Sequence, residues 1–204
     1  MGRVEMLALA CFAAVLVTRV KSAGRDYCEL DLIGTNFDYM PDAWEIIQKN
    51  NTNFHLMFVS KKTLDHANYK CLTTTLKKKV PQRKWRTELF YTTLVNSTAV
   101  KMSSVILETK KSSKCYVFDN VLRAYDPEGS KIRRFNSKII YADLKTCILL
   151  WSRSFGYHVW AERKYVEKHQ AVPYICVLLY EIYAGIPKHW IYDWDVCPKS
   201  TSKI

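Results

Sequence analysis

The sequence predicts an all-β fold of eight antiparallel strands in a barrel or a sandwich, with one short helix before the strands and one helix after them. Between about residue 52 and residue 162, runs rich in Val, Ile, Thr, Tyr and Phe are separated by polar stretches that contain Gly, Pro or Asn. Such even spacing of short strands is typical of antiparallel barrels and sandwiches. The predicted strands cover residues 53–61, 68–77, 85–95, 101–109, 114–123, 131–142, 145–152 and 156–162. An eight-stranded barrel has room inside for one small ligand.

The segment before the strands has the composition of a secretory signal peptide. Arg3 precedes a mostly apolar run from Met6 to Val17, and Ser22 directly precedes a plausible cleavage site. Residues 1–22 are therefore predicted to be cleaved. The apolar run is shorter than the roughly 20 residues that a helix needs to cross a bilayer, so no membrane anchor is expected. A buried amphipathic helix is the alternative, and the run lacks the alternation that such a helix shows. Residues 23–204 are then predicted to form one domain of a secreted protein.

The helix before the strands is predicted over residues 41–49. Pro41 suits the first turn, where its missing N–H removes no helical hydrogen bond. Asp42 and Glu45 lie near the positive end of the helix dipole, where carboxylates are stabilising. These signals favour a helix that begins close to Pro41.

The helix after the strands is predicted over residues 172–185, with Pro173 at its start and Gly185 at its end. Its apolar residues recur at helical spacing, and the resulting stripe is predicted to pack against the barrel wall. Contact with a partner helix is the alternative for this stripe. Its members are Ile175, Leu178, Leu179 and Ile182.

The cysteine content fits an oxidising compartment. Cys11 lies in the predicted signal peptide, and an even number of cysteines remains, which in a secreted chain indicates three disulfides. The spacing alone does not choose among the possible pairings. Neither a C-x-x-C motif nor a zinc-type pair of histidines occurs, so no metal and no cofactor are expected. Sequons at Asn50 and Asn96 predict glycosylation at the surface.

Five short motifs follow one another along the chain. They are DAW (42–44), IIYADLKTC (139–147), GYHVW (156–160), VPYIC (172–176) and the final Cys197. In order and spacing they resemble tick salivary lipocalins of the histamine-binding protein family, and the resemblance spans nearly all of the chain after residue 22. It implies a secreted lipocalin barrel, acting as a monomer, that sequesters small host mediators such as histamine or serotonin and so blunts host defence.

The resemblance also implies a disulfide map. Cys71 would pair with Cys197, and Cys147 with Cys176, which leaves Cys28 and Cys115 for each other. Each bridge is expected to add roughly 2–4 kcal/mol, mainly by restricting the unfolded chain. Cys147 is therefore interpreted as structural and not as a nucleophile.

The acidic residues of the amine-binding members are replaced in this chain. In those members an acid directly follows the Cys of the seventh strand, and a Glu begins a Glu-Leu-aromatic triplet on the eighth. Ile148 and His158 occupy these two positions here, while Trp160 keeps the aromatic, and Ser137 stands at a third acidic position of some members. A buried cation costs several kcal/mol unless an opposite charge compensates it. The usual arrangement for amine binding is therefore not favoured.

Residues two apart on a strand face the same side, so the resemblance predicts the lining of the ligand pocket. The predicted ligand-binding residues are Phe135, Ser137, Tyr141, Ile148, Leu150, His158 and Trp160, with Trp44 near one end of the barrel. This lining favours a lipophilic mediator with an anionic or hydroxylated head group, such as a leukotriene or thromboxane, to which His158 can donate a hydrogen bond. A histidine that merely bonds to a tyrosine is the alternative. Histamine would need an acid from elsewhere, with Asp65, Glu88 and Glu108 as candidates.

A basic patch provides a second hypothesis, because the whole chain carries a net charge of +12. The loops after the second and fourth predicted strands would lie at one end of the barrel. The patch consists of Lys77, Lys78, Lys79, Arg83, Lys84, Lys110 and Lys111. If these charges are more than a solvated surface, they fit a host protein or a sulfated glycan, and the protein would act as an inhibitory module. Nucleic acid is not an expected partner, since no known binding motif occurs.

Catalysis is not predicted. No pattern in the sequence brings two of the five histidines together for acid–base chemistry. The G-x-S-x-G and P-loop motifs are also absent. The sequence therefore favours a binding protein over an enzyme.

Overall fold

The computed structural model describes residues 30, 32–49, 53–62, 69–80, 85–94, 100–125 and 134–197. Within β-strands, residues 69, 76–80, 85–94, 100–102 and 134 are described by their backbone alone. Several predicted features lie outside the described residues: the signal peptide 1–22, Cys28, Asn50, Asp65, Arg83, Lys84 and Asn96. These predictions stay predictions.

Strands dominate the described chain, with short helices before and after them. The helices are α1 Leu32–Phe37, α2 Ala43–Gln48, α3 Arg163–His169 and α4 Tyr174–Ala184. The strands are β1 Phe54–Val59, β2 Tyr69–Val80, β3 Trp85–Leu94, β4 Val100–Lys110, β5 Val121–Tyr125, β6 Arg134–Asp143, β7 Cys147–Ser152, β8 Gly156–Glu162 and β9 His189–Trp190.

The first eight strands close into an antiparallel barrel, as predicted. Strands β2 to β8 pair with their neighbours in chain order, and β1 pairs with β8. The other edge of β1 is shared, because Phe54 and His55 pair with β2 whereas Phe58 and Val59 pair with β9. The short strand β9 thus covers the part of β1 that β2 does not reach.

The barrel wall buries apolar side chains on both of its faces. The interior cluster includes Leu56, Ile148 and Trp160, together with Ile47 of α2. The exterior cluster lies between the wall and the C-terminal helices, and Leu149 belongs to it. Adjacent residues of β7 therefore belong to different clusters, which follows from the alternation of side chains along a strand.

Two disulfides join the strands to the C-terminal part of the chain. Cys71 of β2 bonds to Cys197, and Cys147 of β7 bonds to Cys176 of α4. Both pairings are the ones that the family resemblance implied. The predicted bridge from Cys28 to Cys115 involves a residue outside the described part of the chain.

Helix α4 packs on the barrel wall, but with a different face from the predicted one. Ile175, Leu178 and Ile182 are exposed, whereas Cys176 and Tyr180 are fully buried. The disulfide of Cys176 holds this face against β7. The Tyr180 ring packs edge-on against Phe58 at 4.8 Å, and its hydroxyl donates to the carbonyl of Pro187. The prediction that the apolar stripe covers the wall was wrong for its three exposed members.

Other differences concern local boundaries. The predicted fifth strand, 114–123, begins only at Val121, because Asn120 and Ser112 hold the preceding segment as a loop through two mutual hydrogen bonds. Strand β2 continues to Val80, so Lys77, Lys78 and Lys79 lie within the strand and not in the loop after it. Helices α1 and α3 and strand β9 were not predicted. None of the helices in the described ranges is both long and apolar enough to cross a membrane.

Candidate ligand-binding site

A cavity of about 740 Å³ lies inside the barrel. Six of the predicted pocket residues line it: Phe135, Ser137, Ile148, Leu150, His158 and Trp160. They come from β6, β7 and β8, and on β7 and β8 the inward-facing residues alternate with the outward-facing ones as expected. The volume falls within the range of roughly 300–1,000 Å³ that is usual for small-molecule sites.

Tyr141 is not among the described lining residues, because a β-bulge reverses the alternation on β6. The pairing between β6 and β7 shifts between Ile139 and Tyr141. Ile139 therefore belongs to the interior cluster, whereas Tyr141 packs on the exterior one and lies 5.5 Å from the ring of Tyr39. The Tyr39 hydroxyl accepts a hydrogen bond from the Ala142 N–H and donates one to its carbonyl, which satisfies the backbone beside the bulge. The prediction for Tyr141 was wrong.

Helix α2 closes one end of the barrel and contributes Ile46 to the lining in place of the predicted Trp44. Asp42 caps the helix by accepting a hydrogen bond from the Trp44 N–H. The Ala43 N–H bonds to the carbonyl of Asp119, so the helix is fixed to the loop that follows β4. Trp44 packs against the interior cluster from its half-buried position. It thus lies near one end of the barrel, as expected, without being among the described residues that line the cavity.

The opposite end of the cavity lies at the hairpin between β7 and β8. Phe135 and Trp151 are 49% and 41% exposed while lining the cavity, so they form its rim. Arg153 and Phe155 of the hairpin also line it. Gly156 ends the turn with φ of +66°, and a Cβ there would lie 2.1 Å from the Ser60 hydroxyl oxygen, so only glycine fits. Arg153 and Phe155 were not among the residues predicted to line the pocket.

The cavity lining is mostly apolar and carries no carboxylate among its described members. Arg153 is the one described lining residue with a formal charge at neutral pH. Glu108, a candidate for an amine partner, is adjacent to the inward-facing Leu107 and contacts Arg123 at 3.9 Å and the Tyr125 hydroxyl. It therefore lies on the outer face of the wall. Glu88 is described by its backbone alone, and its Cα partner in the register is the lining residue Val105.

Among the described polar residues that line the cavity, His158 is the most buried, with 2% of its surface exposed. Its Nδ1 accepts a hydrogen bond of 2.9 Å from the indole N–H of Trp160. In the described part of the chain, its Nε2 atom is buried without a hydrogen-bond partner. Burial lowers the pKa of His158 from 6.5 to about 3. The ring is therefore neutral at physiological pH. Its hydrogen bond is to Trp160, and not to the tyrosine of the alternative interpretation.

A second, shallower depression lies at the closed end of the barrel. It has a volume of about 360 Å³. Its basic residues are Lys49, Lys145, Lys164, Lys168 and His169. The loop after β4, with Lys111, lies at the same end, because β4 and β6 run in the same direction. Basic residues thus occur at this end of the barrel, away from the rim of the cavity.

Comparisons with known proteins agree with this architecture. The family described as tick histamine binding protein matches residues 35–199. The AM182 serotonin complex superposes with a TM-score of 0.53 and 9% sequence identity, covering 76% of this chain and 92% of that chain. Japanin from Rhipicephalus appendiculatus, bound to cholesterol, superposes with a TM-score of 0.51 and 17% identity, covering 70% and 93%. At these identities the two structures show a common fold alone. No curated protein sequence matches significantly.

Proposed function

The chain belongs to the tick histamine-binding protein family, and from this premise we propose that it is a secreted salivary lipocalin that sequesters a lipophilic host mediator. The mediator is an oxygenated lipid, such as a leukotriene, held inside the barrel. Capture is stoichiometric and involves no chemical conversion. Removing the mediator at the feeding site would blunt host defence.

The observation that carries this proposal is the apolar cavity of about 740 Å³ without a described carboxylate. Burial of apolar ligand surface contributes about 25 cal/mol per Å², so a long lipid gains more from this lining than a small amine does. An ammonium group in the same place would be desolvated without a described counter-charge, which costs several kcal/mol. The neighbour with bound cholesterol is a barrel of the same fold that accommodates a lipid.

The proposal is tested by calorimetry with leukotriene B4, histamine and serotonin. We expect sub-micromolar binding of the leukotriene and at least ~100-fold weaker binding of both amines, a difference of roughly 2.7 kcal/mol. A lipid extract of the protein as secreted, analysed by mass spectrometry, should contain an oxygenated lipid. Sub-micromolar histamine or serotonin together with weak leukotriene binding would contradict the proposal.

Amine binding is the nearest competing function, and the register of Glu88 opposite Val105 gives it a specific test. The neighbour that binds serotonin makes this alternative relevant. If an amine binds tightly, Glu88→Gln should abolish its binding while leaving lipid binding unchanged. If Glu88→Gln leaves the amine affinity unaltered, Glu88 is not the counter-charge.

Binding of a sulfated glycan is a second candidate function, favoured by the basic depression at the closed end. The predicted basic patch remains part of this hypothesis, with Lys110 at the end of β4 and Lys77–Lys79 in β2. We expect retention on heparin that weakens with salt. Lys164→Ala with Lys168→Ala should reduce retention, whereas Lys61→Ala with Lys62→Ala, beside the hairpin at the other end, removes the same charge with little effect. Equal losses would indicate a response to net charge alone.

A further inference from the structure

The hydrogen bond between Trp160 and His158 determines which nitrogen of the imidazole carries the proton. An indole N–H can donate a hydrogen bond but cannot accept one. Since the Trp160 N–H lies 2.9 Å from Nδ1 of His158, Nδ1 must be the unprotonated acceptor. The proton of the neutral ring is then on Nε2.

This Nε2–H group is a buried donor without a partner among the described residues. His158 lines the cavity, and Phe155 packs edge-on against its ring at 5.4 Å. A buried donor left unpaired carries a desolvation penalty, which a ligand acceptor would remove. The buried donor thus favours a guest with an oxygen atom at this depth.

The same geometry disfavours protonation of His158. A second proton would have to go on Nδ1, where it would face the Trp160 N–H and break that hydrogen bond. No described residue of the cavity supplies a carboxylate to stabilise an imidazolium, and the charged Arg153 belongs to the hairpin at the rim. The ring therefore offers a neutral N–H, which does not compensate the charge of a buried anion.

We propose that His158 is the specificity-determining contact of the cavity: a neutral donor, fixed in one tautomer by Trp160, that selects an uncharged oxygen such as a hydroxyl or a ketone. A carboxylate on the same ligand would lie at the rim, near Arg153. The proposal rests on the proposed lipid-binding function and adds the chemical group that is recognised inside the barrel.

The test compares three ligands with the same carbon chain: arachidonyl alcohol, arachidonic acid and the matching hydrocarbon. The affinity of each ligand is measured by its displacement of a fluorescent fatty-acid probe from the protein. We expect the alcohol to bind at least ~10-fold more tightly than the hydrocarbon, because only the alcohol satisfies the buried donor. This difference should disappear in His158→Phe and persist in His158→Gln, whose amide keeps a donor at a similar reach.

Two further measurements separate recognition from a merely structural role. In protein with ¹⁵N-labelled histidine, NMR should show His158 protonated on Nε2 alone between about pH 8 and pH 5, with the proton signal shifted by the alcohol. The affinity for the alcohol should be constant over the same pH range. In Trp160→Phe, Nδ1 of His158 loses its donor, so the ring proton is no longer confined to Nε2. The preference for the alcohol over the hydrocarbon should then weaken.

The outcomes distinguish the two proposals. If none of the three ligands displaces the probe, the proposed function fails and this inference fails with it. If the alcohol binds but the difference from the hydrocarbon is unchanged in a folded His158→Phe protein, the inference alone is overturned. A proton on Nδ1 in the NMR spectrum would also overturn it.

Discussion

The two faces of strands β7 and β8 differ sharply, although their residues alternate along the same backbone. On the outer face, Cys147, Leu149 and Val159 are fully buried against the C-terminal helices. On the inner face, Leu150 and His158 border a cavity. The outer face is thus packed with protein, whereas the inner face leaves space for a guest. One pair of strands therefore packs against the C-terminal helices with half of its side chains and borders the cavity with the other half.

Neighbouring leucines give the sharpest test of this difference. Leu149→Ala removes a fully buried side chain from a packed cluster, and we expect a loss of about 2–5 kcal/mol in the free energy of unfolding. Leu150→Ala should cost less than half as much, since Leu150 already faces the cavity. Urea unfolding of both variants measures the two values. Equal losses would mean that the inner face is as tightly packed as the outer one.

The disulfide between Cys147 and Cys176 should affect the outer face alone. Replacing both cysteines by serine should lower the free energy of unfolding by about 2–4 kcal/mol, because the bridge restricts the unfolded chain. Ligand affinity in the folded variant should stay within about twofold of the wild type. A large loss of affinity at a temperature where the variant is folded would show that the two faces are coupled.

The third prediction concerns the pH dependence of the free energy of unfolding. It depends on two buried histidines, His55 on the outer face of the barrel wall and His158 on the inner face. Burial lowers the pKa of His55 from 6.5 to about 4; the charge of Arg163 adds to this effect and that of Glu167 opposes it. Burial lowers the pKa of His158 to about 3. The unfolded chain takes up these protons first, so the free energy of unfolding is highest above about pH 6.5. It falls as the pH decreases towards 4 for His55 and towards 3 for His158. At pH 5 each histidine should account for a loss of about 2 kcal/mol.

The control for this pH profile is His158→Phe. In this variant the decrease in the free energy of unfolding between pH 7 and pH 5 should be about half that of the wild type, because His55 remains. Urea denaturation at several pH values provides the measurement. A stability that does not change from pH 7 to pH 5 would show that neither histidine is held neutral by the fold.

Much of the fold was predictable because local patterns and tertiary packing agree. The strands around Ile148 and His158 follow a clean alternation, so their inward-facing residues were identified correctly. Tyr141 was misplaced because one extra residue in β6 reverses the alternation, and such a bulge leaves no mark in the pattern. The buried face of α4 was missed because its disulfide and Tyr180 outweigh the apolar stripe.

The chemistry of the site needed three-dimensional information. The sequence shows that His158 and Trp160 share a face, but it does not show that the indole N–H reaches Nδ1. Ile46 was missed because the contact between α2 and the barrel interior depends on how the helix closes the end of the barrel. Both features depend on distances between side chains, which a pattern of residue types does not contain.

The most direct test of the central claim is the affinity for histamine of the wild type and of a double variant, Ile148→Asp with His158→Glu, measured by calorimetry. The claim is that the described lining of the cavity lacks the negative charge that a cation needs. We expect the wild type to give no sub-micromolar binding and the variant to bind at least ~100-fold more tightly. Sub-micromolar binding of histamine by the wild type would contradict the account.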